Sequence, residues 1–342
     1  MTPHLIEGPY LHVVISQAAA LDTLCARLPA ETPGSEVIAA LGDGTFRRVV
    51  LTGMGSSLHA LYPLHRLLIG QGIASHWIET AELLLGFDAL YLPESLLVAV
   101  SQSGESAEVV ALAARFAEFG HVIGVTNNPA SPLGRMAGSV LPLHAGAEST
   151  VSCKTYLNTL AALHHLGARL TNRESGDLET VGGAVRAYLA RWREHVAELL
   201  PLIEGIESIF VTGRGDSLAA AGTGGLILKE STRLHAEGMS AAAFRHGPLE
   251  MAGRRVLVLI FAGDETTAPL HRRLAEDIVR GGGNAVLIGP NASGVFHLPD
   301  VPAAVRPIVE ILPVQMLSLA LAARDGREAG RFERATKITT AE

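Results

Sequence analysis

Residues 101–106, Ser101-Gln102-Ser103-Gly104-Glu105-Ser106, gather three hydroxyls, an amide and a glycine where an apolar run, Leu96-Leu97-Val98-Ala99-Val100, gives way to an alanine- and valine-rich segment. No lysine or arginine lies among them. An apolar run leading through such a joint into a helix leaves the first backbone N–H groups of that helix without internal partners. The helix dipole adds partial positive charge there. A phosphate monoester suits that position, with the hydroxyls of Ser101, Ser103 and Ser106 and the Gln102 amide completing its shell. Taken alone, Ser103 could simply be an N-cap. Four polar side chains in six residues, at the mouth of a buried strand, favour an anion site. The nucleotide-triphosphate pattern GxxxxGK[ST] does not occur.

A second loop, Gly53-Met54-Gly55-Ser56-Ser57, opens like a dinucleotide fingerprint but has Leu58 where the third glycine belongs. The Gly213–Ser217 loop likewise has Leu218 there, and no acidic residue follows at the end of a clear second strand. No nicotinamide cofactor is expected. Gly55 and Ser57 are instead placed over the same ligand as the serine loop.

The elements that must hold these loops repeat along the chain. Residues 49–60, VVLTGMGSSLHA, align with residues 209–220, IFVTGRGDSLAA, at an offset of 160, and residues 96–106 align with 256–265 at the same offset. Residues 120–125 align with 283–288 at an offset of 163. Three matches in one order signify a duplicated domain. Continuously apolar runs at 48–52, 95–100, 121–126, 139–143, 208–212, 255–261 and 284–289 read as strands of parallel sheets covered by helices on both faces. Helices are expected over 106–119, 217–236 and 308–325, with Pro313 in the early turns of the last, and a long helical link over 178–200. The expected fold class is α/β, with two tandem doubly wound, flavodoxin-like parallel-sheet domains. Residues 1–34 form a helical lead, 35–195 the first domain, and 196–342 the second with a closing tail.

Length and composition agree. A chain of 342 residues suits two domains of about 150–170 residues. With 48% hydrophobic and 18% charged residues it has the makings of large buried sheets. The net charge is −7 and the 27 basic residues form no block, which argues against nucleic acid as a partner. Two distant cysteines, Cys25 and Cys153, and no lysine or arginine before Arg27 lead to the expectation of a reducing, cytoplasmic setting without a signal peptide. The longest uncharged stretch, 281–299, carries five glycines and is not expected to span a membrane. The histidines form no HExxH or clustered carboxylate pattern, so no metal is expected.

Six motifs in register, SQSGES, ESTVSCKTYLNTL, GRGDS, LKESTRLHAE, FRHGPLE and a terminal TKITTAE, resemble the double sugar-isomerase (SIS) domain unit of glucosamine-6-phosphate synthase and its stand-alone relatives, over roughly residues 35–342. The resemblance implies that Ser101, Gln102, Ser103 and Ser106 bind the phosphate of a sugar phosphate, with Ser57 and Ser152 near the sugar. It implies Glu230 as the proton-shuttling carboxylate and His246 as the ring-opening imidazole, supplied by the neighbouring subunit of a homodimer. Lys337 is implied as the tail amine that engages the open-chain carbonyl. No cofactor is implied. Locally, Glu230 also reads as a surface carboxylate paired with Arg233, His246 as a turn residue and Lys337 as a solvated tail lysine. Only their joint spacing lifts them above those alternatives.

The implied chemistry is coherent. An imidazole suits ring opening, a carboxylate suits carrying a proton between C1 and C2, and an amine can polarise the carbonyl. The chain departs from the synthase at Thr223 and Ile227, where a glutamate and a lysine are expected, and at Ala243, where a glutamate is expected. The glutamine-hydrolysing domain of the synthase has no counterpart here, so amino-sugar deamination or isomerisation is the expected sense of reaction. A catalytically silent sugar-phosphate sensor is the alternative.

Overall fold

The computed structural model of the chain describes residues 5–31, 35–334, 336 and 337, in two units. One unit comprises residues 19–148, 154–179 and the tail from 334; the other comprises the residues up to 18, 149–153 and 180–333.

The first unit is built on a parallel sheet of five strands in the order β2-β1-β3-β4-β5. They are β1 Arg48–Gly53, β2 Ser75–Glu79, β3 Ser95–Val100, β4 His121–Thr126 and β5 Ser139–Pro142. This is the flavodoxin-like order, with its switch point between β1 and β3. Every residue of β3 is buried, as a run with no polar alternation requires of a strand covered on both faces. Register pairs Gly53 with Val100, so the two candidate ligand loops leave the sheet side by side. Val50, Leu97 and Ala99 pack with Val109, Leu112, Phe116 and Leu133 into one core cluster. Burying a leucine or phenylalanine side chain there contributes about 1.5–3 kcal/mol.

The second unit repeats the scheme with four parallel strands, β7-β6-β8-β9, where β6 is Ser208–Gly213, β7 His235–Ser240, β8 Val256–Phe261 and β9 Asn284–Ile288. Its core joins Phe210 and Phe244, whose rings meet edge-on at 5.1 Å, with Val258, Ile260, Leu274 and Ile278. Helix Arg306–Arg324 is buried continuously from Pro307 to Ala323 and carries Pro313 inside it. The segment 303–324 is long and apolar enough to cross a membrane, yet 89% of its most apolar window is buried inside the protein, as befits a core helix.

Both fold class and duplication are therefore those expected. Several element boundaries differ. The expected helix 106–119 runs only over Ala107–Ala113, followed by a 3-10 turn at Phe116–Glu118. The helix expected over 217–236 ends at Thr232, because Arg233 turns left-handed (φ 61°) and β7 begins at His235. The link 178–200 breaks into Val181–Leu189 and Trp192–Leu199, both belonging to the second unit. The break lets Val181, Val185 and Tyr188 bury one stripe and Trp192, His195 and Val196 another.

Candidate active site

Loop 101–106 is held from behind by backbone hydrogen bonds. The Ser101 N–H donates to Val125 O at 3.0 Å, and the Gln102 carbonyl accepts from Asn127 N at 3.0 Å and Thr126 Oγ1 at 3.3 Å. Leu133 N donates to Gly104 O at 3.2 Å. Gly104 adopts φ +68°, and a Cβ there would collide with the Ser131 hydroxyl, so this position needs glycine twice over. Ser101 Oγ accepts from Gly104 N at 3.1 Å and Ser103 Oγ accepts from Glu105 N at 3.2 Å. Each oxygen is thereby fixed by a backbone donor, and no acceptor among the described residues takes its proton. Ser106 precedes the helix in extended conformation and makes no capping bond. Ser101 is buried; Gln102, Ser103 and Ser106 are half-buried.

The neighbouring loop is shaped by its glycines. Gly53 brings β1 so close to the following helix that a Cβ would lie 3.0 Å from Val100 O and 3.1 Å from Leu58 N, and Gly55 takes φ +53°. The second unit reproduces this, with Gly213 crowded by Ser217 and Gly215 at φ +60°. Ser57 is half-buried in helix Gly55–Ala60, its N–H bonded to Met54 O at 3.0 Å.

Lys337 also belongs to the first unit. Its Nζ lies 3.6 Å from Glu148 Oε2, a carboxylate whose side chain is wholly buried. Thr155 donates to Glu148 through both its hydroxyl and, at 3.4 Å, its backbone N–H. A buried carboxylate is stable only when paired in this way. Glu148 was not singled out in the sequence. An acidic residue in the otherwise uncharged run before Lys154 was the available signal.

Ser152, Glu230 and His246 belong to the second unit. Glu230 is half-buried near the end of helix Leu218–Thr232. The Arg233 guanidinium bonds Glu333 at 2.5 Å. Tyr10 is fully buried, its hydroxyl 2.8 Å from Ser318 Oγ. Burial pushes that hydroxyl well above its ordinary pKa, and Cys153 and Glu230 nearby push it the same way. Ser152 is half-buried beside the fully buried Cys153. His246 is exposed at the end of helix Ala241–Arg245, just before Gly247 at φ +140°. Thr223 and Ile227 are fully buried, whereas Ala243 is exposed. Among the described residues, no three His, Cys, Asp or Glu side chains gather as a metal-ligand set.

The family model described as the SIS domain matches residues 46–169 and 202–323, one copy on each sheet. The chain belongs to the SIS domain family. A relative among curated proteins is the isomerizing glutamine–fructose-6-phosphate aminotransferase of Pyrococcus horikoshii, 30% identical over 312 residues, covering 87% of this chain and 52% of that protein. The SIS chain thus spans about half the length of the curated relatives it matches. Among solved structures, the C-terminal domain of glucosamine-fructose-6-phosphate aminotransferase from Francisella tularensis superimposes with a TM-score of 0.81 at 19% identity, over 95% of this chain and 98% of that one. Glucosamine-6-phosphate deaminase from Thermotoga maritima gives 0.80 at 16% identity, over 97% and 99%. These two likenesses are of fold.

Proposed function

We propose that this SIS protein is a phosphosugar enzyme acting on an amino-sugar or ketose 6-phosphate, in the deaminating or isomerising sense between glucosamine 6-phosphate and fructose 6-phosphate. The observation that carries the proposal is the hydroxyl arrangement of loop 101–106, where Ser101 and Ser103 each accept a backbone N–H and keep their protons for a ligand, and the Ser106 oxygen caps no backbone N–H. The aminotransferase name of the Pyrococcus relative supports the substrate class.

In the proposed reaction His246 moves a proton from the anomeric hydroxyl to the ring oxygen, opening the ring. Glu230 then takes the proton from C2 and delivers it to C1, through an enolamine, leaving an imine at C2. Water adds to that imine and ammonia departs, giving the ketose. The Lys337 amine polarises the open-chain carbonyl at C1. With a ketose and no amine, the same transfer through an enediol is a plain isomerisation. Exposure of His246 on its own chain suits a residue that works in a neighbouring subunit, so the proposed assembly is a homodimer with shared sites. The two free cysteines suit a cytoplasmic setting.

The sensor alternative draws on Thr223, Ile227 and Ala243, uncharged where the synthase is expected to place charge, the first two buried and the third exposed. One experiment separates the two: incubation with glucosamine 6-phosphate, assaying ammonia and fructose 6-phosphate. Release of both in equal amounts is the expected result. Binding without turnover of this substrate, or of hexose 6-phosphates tested for aldose–ketose exchange, would overturn the enzyme.

A further inference from the structure

Behind the serine loop, one residue reaches in two directions. The Asn127 N–H donates to Gln102 O at 3.0 Å, so its backbone braces the proposed phosphate loop. Its side chain braces a different segment: Oδ1 accepts from Ala145 N at 2.8 Å, and Nδ2 donates to Gly146 O at 2.8 Å. All of these residues belong to the first unit, Asn127 just past the end of β4 and residues 143–148 just past the end of β5.

Segment 143–148 leaves the sheet through two left-handed residues, His144 at φ +48° and Gly146 at φ +68°. A side chain is strained in that region, and such a residue persists only where its surroundings over-determine it. Here they do. His144 Nε2 lies 2.6 Å from Glu31 Oε2, and Leu143 O accepts from Asn158 Nδ2 at 2.8 Å. Ala147 O accepts from Lys154 Nζ at 2.9 Å. The segment ends on Glu148, the buried carboxylate 3.6 Å from Lys337 Nζ. Asn127 bonds both peptide groups at the centre of this bend, and thereby fixes where Glu148 and its tail partner lie relative to Gln102.

We propose that Asn127 is a positioning residue of the phosphosugar site: it holds the serine loop and the carboxylate that docks Lys337 in one register, so that the tail amine is presented to a sugar whose phosphate lies at residues 101–106. The inference rests on the roles proposed above for that loop and for Lys337. Asn127 itself touches no substrate. Its two functions separate by substitution. Asn127→Ala removes both side-chain bonds to segment 143–148 but keeps the backbone N–H on Gln102 O, so phosphate affinity is retained while the docking of Lys337 loosens.

Trypsin cleavage after Lys337, read by mass spectrometry on the full chain, tests the tether without any turnover, because the rate follows the population of undocked tail. Asn127→Ala should raise that rate about tenfold, the effect of two lost hydrogen bonds. Asn127→Asp keeps an oxygen for Ala145 N and should raise it less. Asn127→Ala combined with Glu148→Gln should be cut no faster than the faster single variant, since both act through one dock. Thermal melting identifies the folded variants; if Asn127→Ala does not fold, Asn127→Asp carries the test. An unchanged rate in the folded variants, or single effects that multiply in the double variant, would overturn the proposal. Turnover of glucosamine 6-phosphate is the second readout: Asn127→Ala should lower kcat about tenfold and leave KM within about twofold. A raised KM with kcat intact would overturn it too, because Asn127 would then serve the serine loop alone. Faster cleavage in the variants of a wild type that turns over no sugar phosphate would overturn the phosphosugar reading instead, and with it the catalytic purpose of the tether.

Discussion

Glu310 should impose a pH dependence on stability that Glu310→Gln removes. Burial raises its carboxyl from an ordinary 4.5 to about 7; the Ser217 hydrogen bond and the Arg306 charge pull it down in part, while Asp216 pushes it further up. Between those two values the folded chain keeps a proton that the unfolded chain has released, so stability falls as pH rises. The contribution is intact below the unfolded pKa and lost above about 7. A shift of that size corresponds to about 3 kcal/mol lost across the window, since each pH unit is worth about 1.4 kcal/mol. Glutamine keeps an oxygen for Ser217 and has no proton to exchange. Urea unfolding at about pH 5, where part of the window is already crossed, and at about pH 8 should therefore show wild type losing about 2.5 kcal/mol more than the variant. Equal pH dependence in the two proteins would refute the burial argument, because Glu310 would then titrate like a solvated carboxyl.

Other expectations follow from the first copy. Gly104→Ala forces a side chain into φ +68° and against Ser131 and Thr126; strain of about 1–2 kcal/mol should lower the melting temperature and weaken hexose 6-phosphate binding, as a thermal-shift titration would reveal. Unaltered melting and affinity would mean that the loop is not held as described. Glu230→Gln should keep phosphosugar binding but slow ammonia release by about a hundredfold or more, with calorimetry and a coupled ammonia assay separating the two effects. Glu148→Gln removes the charge facing Lys337 at 3.6 Å, so trypsin should cut after Lys337 faster than in wild type; an unchanged rate would show that this pair does not restrain the tail.

Much of the scaffold was legible because buried parallel strands need uninterrupted apolar runs. β1, β3, β4, β6 and β8 all fall where such runs occur. β2 and β7 were not legible. They are edge strands, and their sequences, Ser75-His76-Trp77-Ile78-Glu79 and His235-Ala236-Glu237-Gly238-Met239-Ser240, mix polar and small residues because they are only partly covered. The end of helix Leu218–Thr232 was hidden for a different reason. Arg233 takes a left-handed conformation that glycine would have advertised, and the Glu333 partner of its guanidinium lies far along the chain.

At the candidate site the serine loop was readable from local density of hydroxyls, since the groups proposed to meet the phosphate come from one short segment. The partner of Lys337 was not, because Glu148, itself held by Thr155, reaches it only through tertiary folding. Glu310 was not singled out, because its bond to Ser217 joins residues 93 positions apart and exists only in the folded chain.

A crystal structure of the protein soaked with fructose 6-phosphate would be the most direct measurement. The phosphate should lie within hydrogen-bonding distance of the hydroxyls of Ser101, Ser103 and Ser106, at the shared edge of β1 and β3. Density for the phosphate at any other place, with residues 101–106 untouched, would contradict the assignment of this loop.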